Sequence, residues 1–186
     1  SSPTGETWTV RSTLFGGFCS QVVWGDVFLA VGGASPTDVN ARHSADGLTW
    51  TTATITAVFA TTYLAAAAYN AATGRWFAAS ESGVVGYSDN SAVTWATSAY
   101  AGSAVIGMAA GRGTVLAAEG GKIWYTTDDG ATWTEASVPQ PTGSTFYDVI
   151  YAAGQFVLAG GTSDEGLVFT SPDGVAWTRR YPCIAG

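Results

Sequence analysis

Charged residues are scarce in this chain, and basic residues are scarcer than acidic ones. Only 11% of the 186 residues are charged, and seven Lys+Arg stand against fourteen Asp+Glu, which gives a formal charge of −7. Because 47% of the residues are hydrophobic and 13% are aromatic, the composition excludes a disordered chain and a charged coiled coil. No basic stripe is available to meet phosphates, so we expect no nucleic-acid partner.

Long apolar runs and metal-binding clusters are also missing from the sequence. No stretch of about eighteen apolar residues occurs, so we predict no membrane insertion. The two cysteines, Cys19 and Cys183, have no CxxC spacing, and His43 is the single histidine. We therefore predict no metal site and no cofactor.

The chain does contain a short element that recurs five times. A representative copy is Ser44-Ala45-Asp46-Gly47-Leu48-Thr49-Trp50, and each copy ends in a tryptophan. The five tryptophans are Trp8, Trp50, Trp95, Trp133 and Trp177. Successive tryptophans are 42, 45, 38 and 44 residues apart, a period typical of a propeller blade built from four short strands.

The residues of this element have the chemistry of a hairpin turn. Asp-Gly between two β-prone segments favours a tight turn, because Gly accepts a positive φ and Asp tolerates it. The Asp carboxylate can accept hydrogen bonds from backbone N–H groups inside the turn, and the tryptophan supplies apolar surface for packing. We predict structural roles for the five tryptophans and for four turn residues, which are Asp46, Asn90, Asp129 and Asp173.

A second element recurs four times between the tryptophans. It is a turn glycine followed by an apolar strand, first seen as Gly25-Asp26-Val27-Phe28-Leu29-Ala30-Val31, and another apolar strand precedes each copy. One repeat therefore reads strand A, tight turn, strand B, loop, strand C, tryptophan turn, strand D. We predict an all-β fold, a small β-propeller of four blades with four antiparallel strands each.

The number of turns exceeds the number of complete repeats by one. We expect one domain over 1–186, with repeats at roughly 9–50, 51–95, 96–133 and 134–177. In this interpretation the terminal segments 1–8 and 178–186 overlap and close the ring. The alternative is that the chain is a piece of a larger propeller.

The two cysteines bear on how the ring closes. If the chain ends meet in a closing blade, Cys19 and Cys183 lie in the same neighbourhood and can form a disulfide. Such a bond would indicate an oxidising location. The other interpretation is two free thiols.

The repeated turn resembles the Asp-box, or BNR, repeat of sialidases and many other β-propellers. The resemblance covers essentially the whole chain, with Thr4 and Asn90 at two positions where the repeat has Asp. It does not extend to sialidase activity, because the Phe/Tyr-Arg-Ile-Pro motif of sialidases is absent and the six arginines do not converge. A generic glycosidase needs two carboxylates facing one cleft. We therefore expect no enzyme, and we rank a glycosidase last among the functions.

At one rim of the predicted propeller the connecting loops differ in length, whereas at the other rim the turns are repetitive. The A–B turns and the tryptophan turns are repetitive, whereas the B–C loops and D–A segments differ in length from blade to blade. Insertions on one face are typical of a binding face. The candidate binding residues at this rim are Asp38, Tyr100, Asp164 and Glu165.

Two functional hypotheses follow. The repeats look like those common in bacteriophage and bacterial surface proteins, which implies a non-catalytic structural or adhesion module of an extracellular particle, such as a virion decoration or tail-fibre protein. Its partner would be another protein of that particle or a cell-surface glycan, and its location extracellular or on the virion surface. The alternative is a secreted or surface-bound carbohydrate-binding propeller, because aromatic faces stack well on sugar rings.

Overall fold

The described residues form four antiparallel sheets of four strands each, which confirms the predicted four-bladed β-propeller. The structure is a computed structural model, and it describes residues 4–7, 9, 17–33, 39–55, 58–59 and 63–180. Trp8, Asp38 and Cys183 lie outside the described residues, as do most of the segments expected to close the ring. No described segment forms a helix long and apolar enough to cross a membrane.

Each blade takes its four strands consecutively from the chain. Blade 1 contains β1 Phe18–Trp24, β2 Phe28–Gly33, β3 Val39–Ser44 and β4 Thr51–Thr52. Blade 2 contains β5 Leu64–Asn70, β6 Arg75–Ser80, β7 Val85–Ser88 and β8 Ala96–Thr97. Blade 3 contains β9 Gly107–Gly111, β10 Thr114–Ala118, β11 Ile123–Thr126 and β12 Thr134–Glu135. Blade 4 contains β13 Thr145–Ala152, β14 Gln155–Gly161, β15 Gly166–Ser171 and β16 Thr178–Arg180.

The strand order within a blade is the order predicted from the repeat. The first strands are innermost, because β1, β5, β9 and β13 contact one another in sequence. In three blades the first strand carries a β-bulge near its start, where Ser20, Ala65 and Tyr147 are the extra residues. The fourth strand of each blade begins directly after the turn tryptophan. Each sheet therefore ends two or three residues beyond the predicted boundary of its repeat.

The second strands hold the blades together, because each packs on a neighbouring blade and those of blades 2 and 3 do so with both faces. We call the side toward the next blade in the chain the front face and the opposite side the back face. Leu29 and Val31, on the front face of blade 1, share a core with Trp76 on the back face of blade 2. The same relation joins blade 2 to blade 3 and blade 3 to blade 4. Burying one such side chain stabilises the fold by roughly 1.5–3 kcal/mol.

The tryptophan turns connect the third and fourth strands and come in two lengths. In the shorter form, Asp46 Oδ1 accepts hydrogen bonds from the backbone N–H groups of Leu48 and Thr49, both at 2.8 Å. Asp173 Oδ1 accepts the equivalent bonds from Val175 and Ala176 at 2.9 and 3.0 Å. The carboxylate therefore organises the turn in the way the sequence predicted.

The longer form has one extra residue and occurs in blades 2 and 3. Asn90 Oδ1 accepts from the N–H of Thr94 at 2.9 Å, and Asp128 Oδ1 accepts from the N–H of Thr132 at 2.9 Å. Asp128, and not Asp129, thus occupies the position of Asp46, Asn90 and Asp173. Because the longer turn places two aspartates side by side, the sequence pattern alone misaligned it by one residue.

Asp129 has a different structural role in the same turn. Its φ of 55° lies in the left-handed region, which Asp tolerates better than most residues. Its Oδ1 accepts hydrogen bonds from Asn70 Nδ2 and Thr73 Oγ1, both at 2.9 Å. Asp129 therefore ties the A–B turn of blade 2 to the tryptophan turn of blade 3.

Each described turn tryptophan is fixed by a hydrogen bond from its indole N–H. Trp50, Trp95 and Trp177 each donate from Nε1 to the carbonyl oxygen three residues earlier, at 3.3, 3.1 and 3.0 Å. Trp133 instead donates to Ser98 Oγ of blade 2 at 2.9 Å. Trp95 and Trp177 are buried in the cores between blades, so the tryptophans pack as predicted.

Cys19 is a free thiol in this structure, so no disulfide to Cys183 is found. Its Sγ–H donates to the backbone carbonyl of Gln21 at 3.5 Å, which is a weak local contact. Burial raises the pKa of the Cys19 thiol above its usual range.

Asp128→Ala should lower the free energy of unfolding by about 1–2 kcal/mol, because the turn then loses the acceptor for the Thr132 backbone and hydroxyl groups. Asp164→Ala removes an equal charge from an exposed loop and should change the free energy by less than about 0.5 kcal/mol. Urea denaturation of both variants checks this. Equal stability of the two variants would contradict the structural role of Asp128.

Acid should weaken the fold through three turn carboxylates. The backbone N–H of Thr49 and that of Val175 lower the pKa of Asp46 and Asp173, and the Thr132 hydroxyl lowers that of Asp128. A pKa lowered by folding contributes stability above the unfolded value, near 3.9, and this stability is lost as the pH falls through the folded pKa.

Asn90 shows that an amide can replace the carboxylate in this turn. The variant carrying Asp46→Asn, Asp128→Asn and Asp173→Asn should therefore fold at neutral pH and lose less stability than the wild type below about pH 4. Urea midpoints measured as a function of pH check this. Parallel acid profiles for the two proteins would refute it.

Candidate functional site

One rim of the propeller is closed by hydrogen bonds that run from blade to blade. Asp26, in the A–B turn of blade 1, accepts from Trp76 Nε1 at 2.7 Å and from Ser91 Oγ at 2.6 Å. Arg75 binds Asp89 at 2.6 Å and donates to the backbone carbonyl of Asp129 at 2.7 Å. This rim carries the repetitive turns, and its polar groups are engaged in holding neighbouring blades together.

The opposite rim is formed by the B–C loops and the D–A segments that vary in length. Blades 3 and 4 bring one of each kind together in an open cleft with a volume of about 470 Å³. We call it the loop cleft, and its lining residues are Pro141, Thr142, Gly143, Thr162, Ser163, Asp164 and Glu165. Two segments that are about twenty residues apart in sequence therefore meet at the rim that the sequence marked as variable.

Asp164 and Glu165, both predicted binding residues, lie in the loop cleft. The Thr162 hydroxyl oxygen accepts from the backbone N–H groups of Asp164 and Glu165, both at 3.2 Å, which fixes the loop. Glu165 Oε2 forms an ion pair with Arg179 at 2.6 Å. The Asp164 carboxylate accepts from the neighbouring Ser163 hydroxyl at 3.0 Å. Asp164 thus presents an exposed carboxylate, whereas the charge of Glu165 is paired.

Tyr100, a third predicted binding residue, does not line the loop cleft. Its ring packs edge-on against Trp124 and Trp133, with centroid distances of 5.8 and 5.3 Å. Its hydroxyl donates to Glu119 Oε1 at 2.6 Å, and the Ser103 backbone N–H donates to the same oxygen. Burial, together with the Glu119 carboxylate, raises the pKa of Tyr100 well above its usual range. The fourth predicted residue, Asp38, lies outside the described residues.

Glu119 is a buried carboxylate that the sequence analysis missed. It is only 5% exposed and joins the D–A segment before blade 3 to the end of the second strand of blade 3. A Cβ added at Gly102 would collide with both Glu119 and Tyr100, so a larger residue there would displace this pair. The contact of Glu119 with Tyr100 spans 19 residues, and no local motif pointed to it.

A second concave region at the same rim was also missed. It has a volume of about 430 Å³ and is lined by Ser20, Ala65, Glu81, Ala104, Val105 and Ile106. Glu81 raises the pKa of the nearby Tyr63 phenol, whose ring packs edge-on against Phe18 at 5.2 Å. The signal in the sequence was an acidic residue in the B–C loop after the second strand β6, just as Asp164 and Glu165 lie in the B–C loop after β14.

The innermost strands of all four blades surround a central cavity of about 280 Å³. Trp24, Tyr69 and Tyr151 lie at equivalent positions in three first strands and contribute aromatic surface to it. Asp148 is the carboxylate among the lining residues. In the part of the chain that the structure describes, no group of His, Cys, Asp and Glu is arranged to hold a metal ion.

These blades, their shared cores and the variable loop rim define a β-propeller domain. The chain belongs to the DUF6242 β-propeller domain family, whose sequence model matches residues 19–181. No curated protein is a significant match in sequence.

Solved structures with the same fold are distant in sequence. The chain is similar to the GH74 xyloglucanase from Xanthomonas campestris, with a TM-score of 0.63 and 18% identity over 85% of this chain and 28% of that one. It is similar to YCF48 bound to D1 peptide, with a TM-score of 0.60 and 15% identity over 82% and 50% of the two chains. A nidogen/laminin complex gives a TM-score of 0.59 and 10% identity over 80% and 59%. The chain thus spans less than two thirds of each of these proteins.

Tyr100→Phe should destabilise the fold by about 1–3 kcal/mol, because the buried Glu119 carboxylate then loses a hydrogen-bond donor. Tyr147→Phe, at an exposed tyrosine, is the matched control and should be nearly neutral. Thermal unfolding of both variants measures the difference. A Tyr100→Phe protein as stable as the control would contradict this structural role of the hydroxyl.

Proposed function

We propose that the chain is a non-catalytic binding module that engages its partner through the variable loop rim, as a structural or adhesion component of an extracellular particle such as a bacteriophage virion. The observation that carries this proposal is the loop cleft, where two length-variable segments meet. At the other rim the polar groups form hydrogen bonds between blades. The sequence of the variable loops can therefore change to suit a ligand without loss of these bonds.

The chemistry of the loop rim favours a partner rich in hydrogen-bond donors. The loop cleft presents the Asp164 carboxylate and the hydroxyls of Thr142, Thr162 and Ser163. Glu81 adds a second carboxylate at the same rim, and the chain has a formal charge of −7. Complementary charge speeds encounter and selects partners, so we favour a protein partner with a basic or donor-rich segment.

The distant structural relatives support a binding role in general terms. A structure of YCF48 holds a D1 peptide, and another relative is described as a nidogen/laminin complex. At this level of sequence identity the similarity shows only a shared fold. The proposed class of partner is therefore argued from the residues of the loop rim.

A carbohydrate ligand is the second candidate, and the position of Tyr147 favours it. This side chain is 62% exposed, and its ring lies beside Gly161, directly before the Thr162–Glu165 side of the loop cleft. An exposed aromatic ring next to carboxylate and hydroxyl groups is an arrangement that can stack on a sugar and bind its hydroxyls. The similarity to a xyloglucanase is compatible with this candidate.

A glycosidase stays the last candidate. Cleavage of a glycosidic bond requires a pair of carboxylates flanking one bond, with one of them able to act as an acid. In the loop cleft Glu165 is held in an ion pair with Arg179, and Asp148 is the carboxylate of the central cavity. Turnover of aryl glycosides that disappears in Asp164→Asn would overturn the non-catalytic proposal.

Binding of fluorescent wild-type protein to an array of basic peptides and an array of polysaccharides tests the proposal. Asp164→Ala should weaken peptide binding at least about tenfold, which corresponds to about 1.4 kcal/mol. Asp89→Ala removes one carboxylate from the opposite rim and serves as the control with unchanged binding. Equal loss of binding in both variants, or no saturable binding on either array, would contradict the proposal.

The same experiment separates the two candidate ligands. Binding to polysaccharides that is competed by free sugar and lost in Tyr147→Ala would favour the carbohydrate ligand over the protein partner. Binding confined to basic peptides, and insensitive to Tyr147→Ala, is the result expected for the protein partner.

A further inference from the structure

The central cavity contains a carboxylate that the proposed binding at the loop rim does not use. Asp148 lies on β13, where its side chain is exposed, and its Oδ1 accepts from the backbone N–H of Val149 at 2.9 Å. Its Oδ2 has no hydrogen-bond or ion-pair partner among the residues that the structure describes. Because no Lys, Arg or His is among the residues that line the cavity, this negative charge is uncompensated there.

Small residues on the other first strands leave room beside this carboxylate. The strand pairings place Gln21, Ala66 and Gly107 at the level of Asp148 in blades 1 to 3. A Cβ added at Gly107 would stand 3.2 Å from Asp148 Oδ1, so a side chain there would crowd the carboxylate. The glycine and the alanine therefore keep the cavity open on the side of blades 2 and 3.

The end of the cavity near the A–B turns is apolar. Three residues further along the first strands, Ala110 of blade 3 stands where the other blades carry Trp24, Tyr69 and Tyr151. Alanine leaves free the space that a fourth aromatic ring would fill. Three residues of a strand span roughly 10 Å, so a short unbranched carbon chain can run from the carboxylate to this apolar end.

The inner edges of the first strands add hydrogen-bond acceptors. The backbone N–H of Ala67 donates to Gln21 Oε1 at 2.7 Å, and that of Val149 donates to Asp148, so both N–H groups point into the cavity. In an antiparallel pair the N–H and C=O of one residue face the same side. The carbonyl oxygens of Ala67 and Val149 therefore face the cavity too, as does that of Met108 at the same position in blade 3.

We propose that the central cavity binds an alkylammonium ion, with the ammonium group on Asp148 Oδ2 and the carbon chain directed along the axis toward Ala110. An ammonium group is a compact charge with three donors, and the carboxylate and the edge carbonyls supply acceptors for them. A guanidinium group fits less well, because its planar fork uses both oxygens of a carboxylate and Asp148 Oδ1 is already bonded. This site is separate from the loop cleft, so the inference does not depend on the proposed function.

An alkylammonium group has two sources, a free amine or the lysine side chain of another protein. The two sources share the ammonium group and an unbranched chain, and they differ in the bulk at the far end of that chain. n-Butylammonium therefore serves as the probe for the free amine, and Nα-acetyl-lysine amide as the probe for the lysine side chain.

Met108 provides a signal from within the cavity. It is the single methionine of the chain, it lines the cavity, and it is only 3% exposed. Titration of the full chain, labelled with ¹³C at the methionine methyl group, with n-butylammonium should shift the Met108 methyl resonance in a saturable manner. For so small a ligand we expect a dissociation constant on the order of 1 mM. n-Butanol, which has the chain without the charge, should bind at least about tenfold more weakly.

Asp148→Asn tests the role of the carboxylate. The amide keeps an acceptor for the Val149 N–H but loses the charge, so n-butylammonium should bind at least about tenfold more weakly. Glu135→Gln removes the same charge from the exposed outer strand of blade 3 and is the matched control, with unchanged binding. The two-dimensional NMR spectrum of each variant shows that it is folded.

Ala110→Leu tests the direction of the carbon chain. In the wild type, affinity should rise by at least about tenfold from ethylammonium to hexylammonium, because each buried methylene group favours binding. Leucine fills the apolar end, so Ala110→Leu should lose most of this gain and keep the wild-type affinity for ethylammonium. This pattern separates a filled cavity from a misfolded protein, which would lose both affinities.

Four results would overturn the proposal. The first is no saturable shift of the Met108 signal by either probe up to about 20 mM. The second is a shift of the same size with sodium chloride, which would indicate an inorganic cation. The third is n-butanol binding as tightly as n-butylammonium, and the fourth is equal loss of binding in Asp148→Asn and Glu135→Gln. Binding at the loop cleft is measured with other variants, so failure of either site leaves the other testable.

Discussion

The packing of the front face of one blade on the back face of the next is the interaction on which the rest of the structure depends. A four-stranded sheet has two faces and cannot bury both by itself, so each blade needs a neighbour. The second strands carry this contact with small side chains such as Ala78, Ala79 and Ala117, which let the sheets approach closely. Larger residues of the same cores, including Trp76 and Phe156, lie at the starts of the second strands, close to the A–B turns.

The A–B turns and the tryptophan turns, which share one rim, keep the stacked blades in register. A carboxylate or amide inside each turn binds the turn's own backbone, and a second set of polar groups crosses to the next blade. Asp26, Asp129 and Arg75 belong to this second set, and their bonds connect residues 50 to 59 positions apart. Short-range bonds thus shape each turn, while long-range bonds fix the angle between neighbouring blades.

Much of the architecture was predictable from the sequence because it repeats. The spacing of Trp50, Trp95, Trp133 and Trp177, with a turn glycine before each second strand, was sufficient for four blades and their strand order. The exchange of roles between Asp128 and Asp129 was not predictable from the pattern, since two adjacent aspartates fit the turn equally well until its hydrogen bonds are known.

The candidate site was predictable only at the level of the rim. Asp164 and Glu165 were expected there because their loop is long and acidic, and both line the loop cleft. The hydrogen bond of Tyr100 to Glu119 was not predictable, because Glu119 comes from another segment and becomes a neighbour only in the folded chain. The ion pair of Glu165 with Arg179 is likewise a product of strand pairing in blade 4, and no spacing rule in the sequence gives it.

The outer strands have a consequence for how the molecule meets other chains. β4, β8 and β12 contain two residues each, and β16 contains three. A longer outer strand would expose a row of unpaired backbone N–H and C=O groups on which strands of other molecules could assemble as amyloid does. By keeping these outer strands short, the protein offers little template for such aggregation, even though it exposes apolar surface elsewhere.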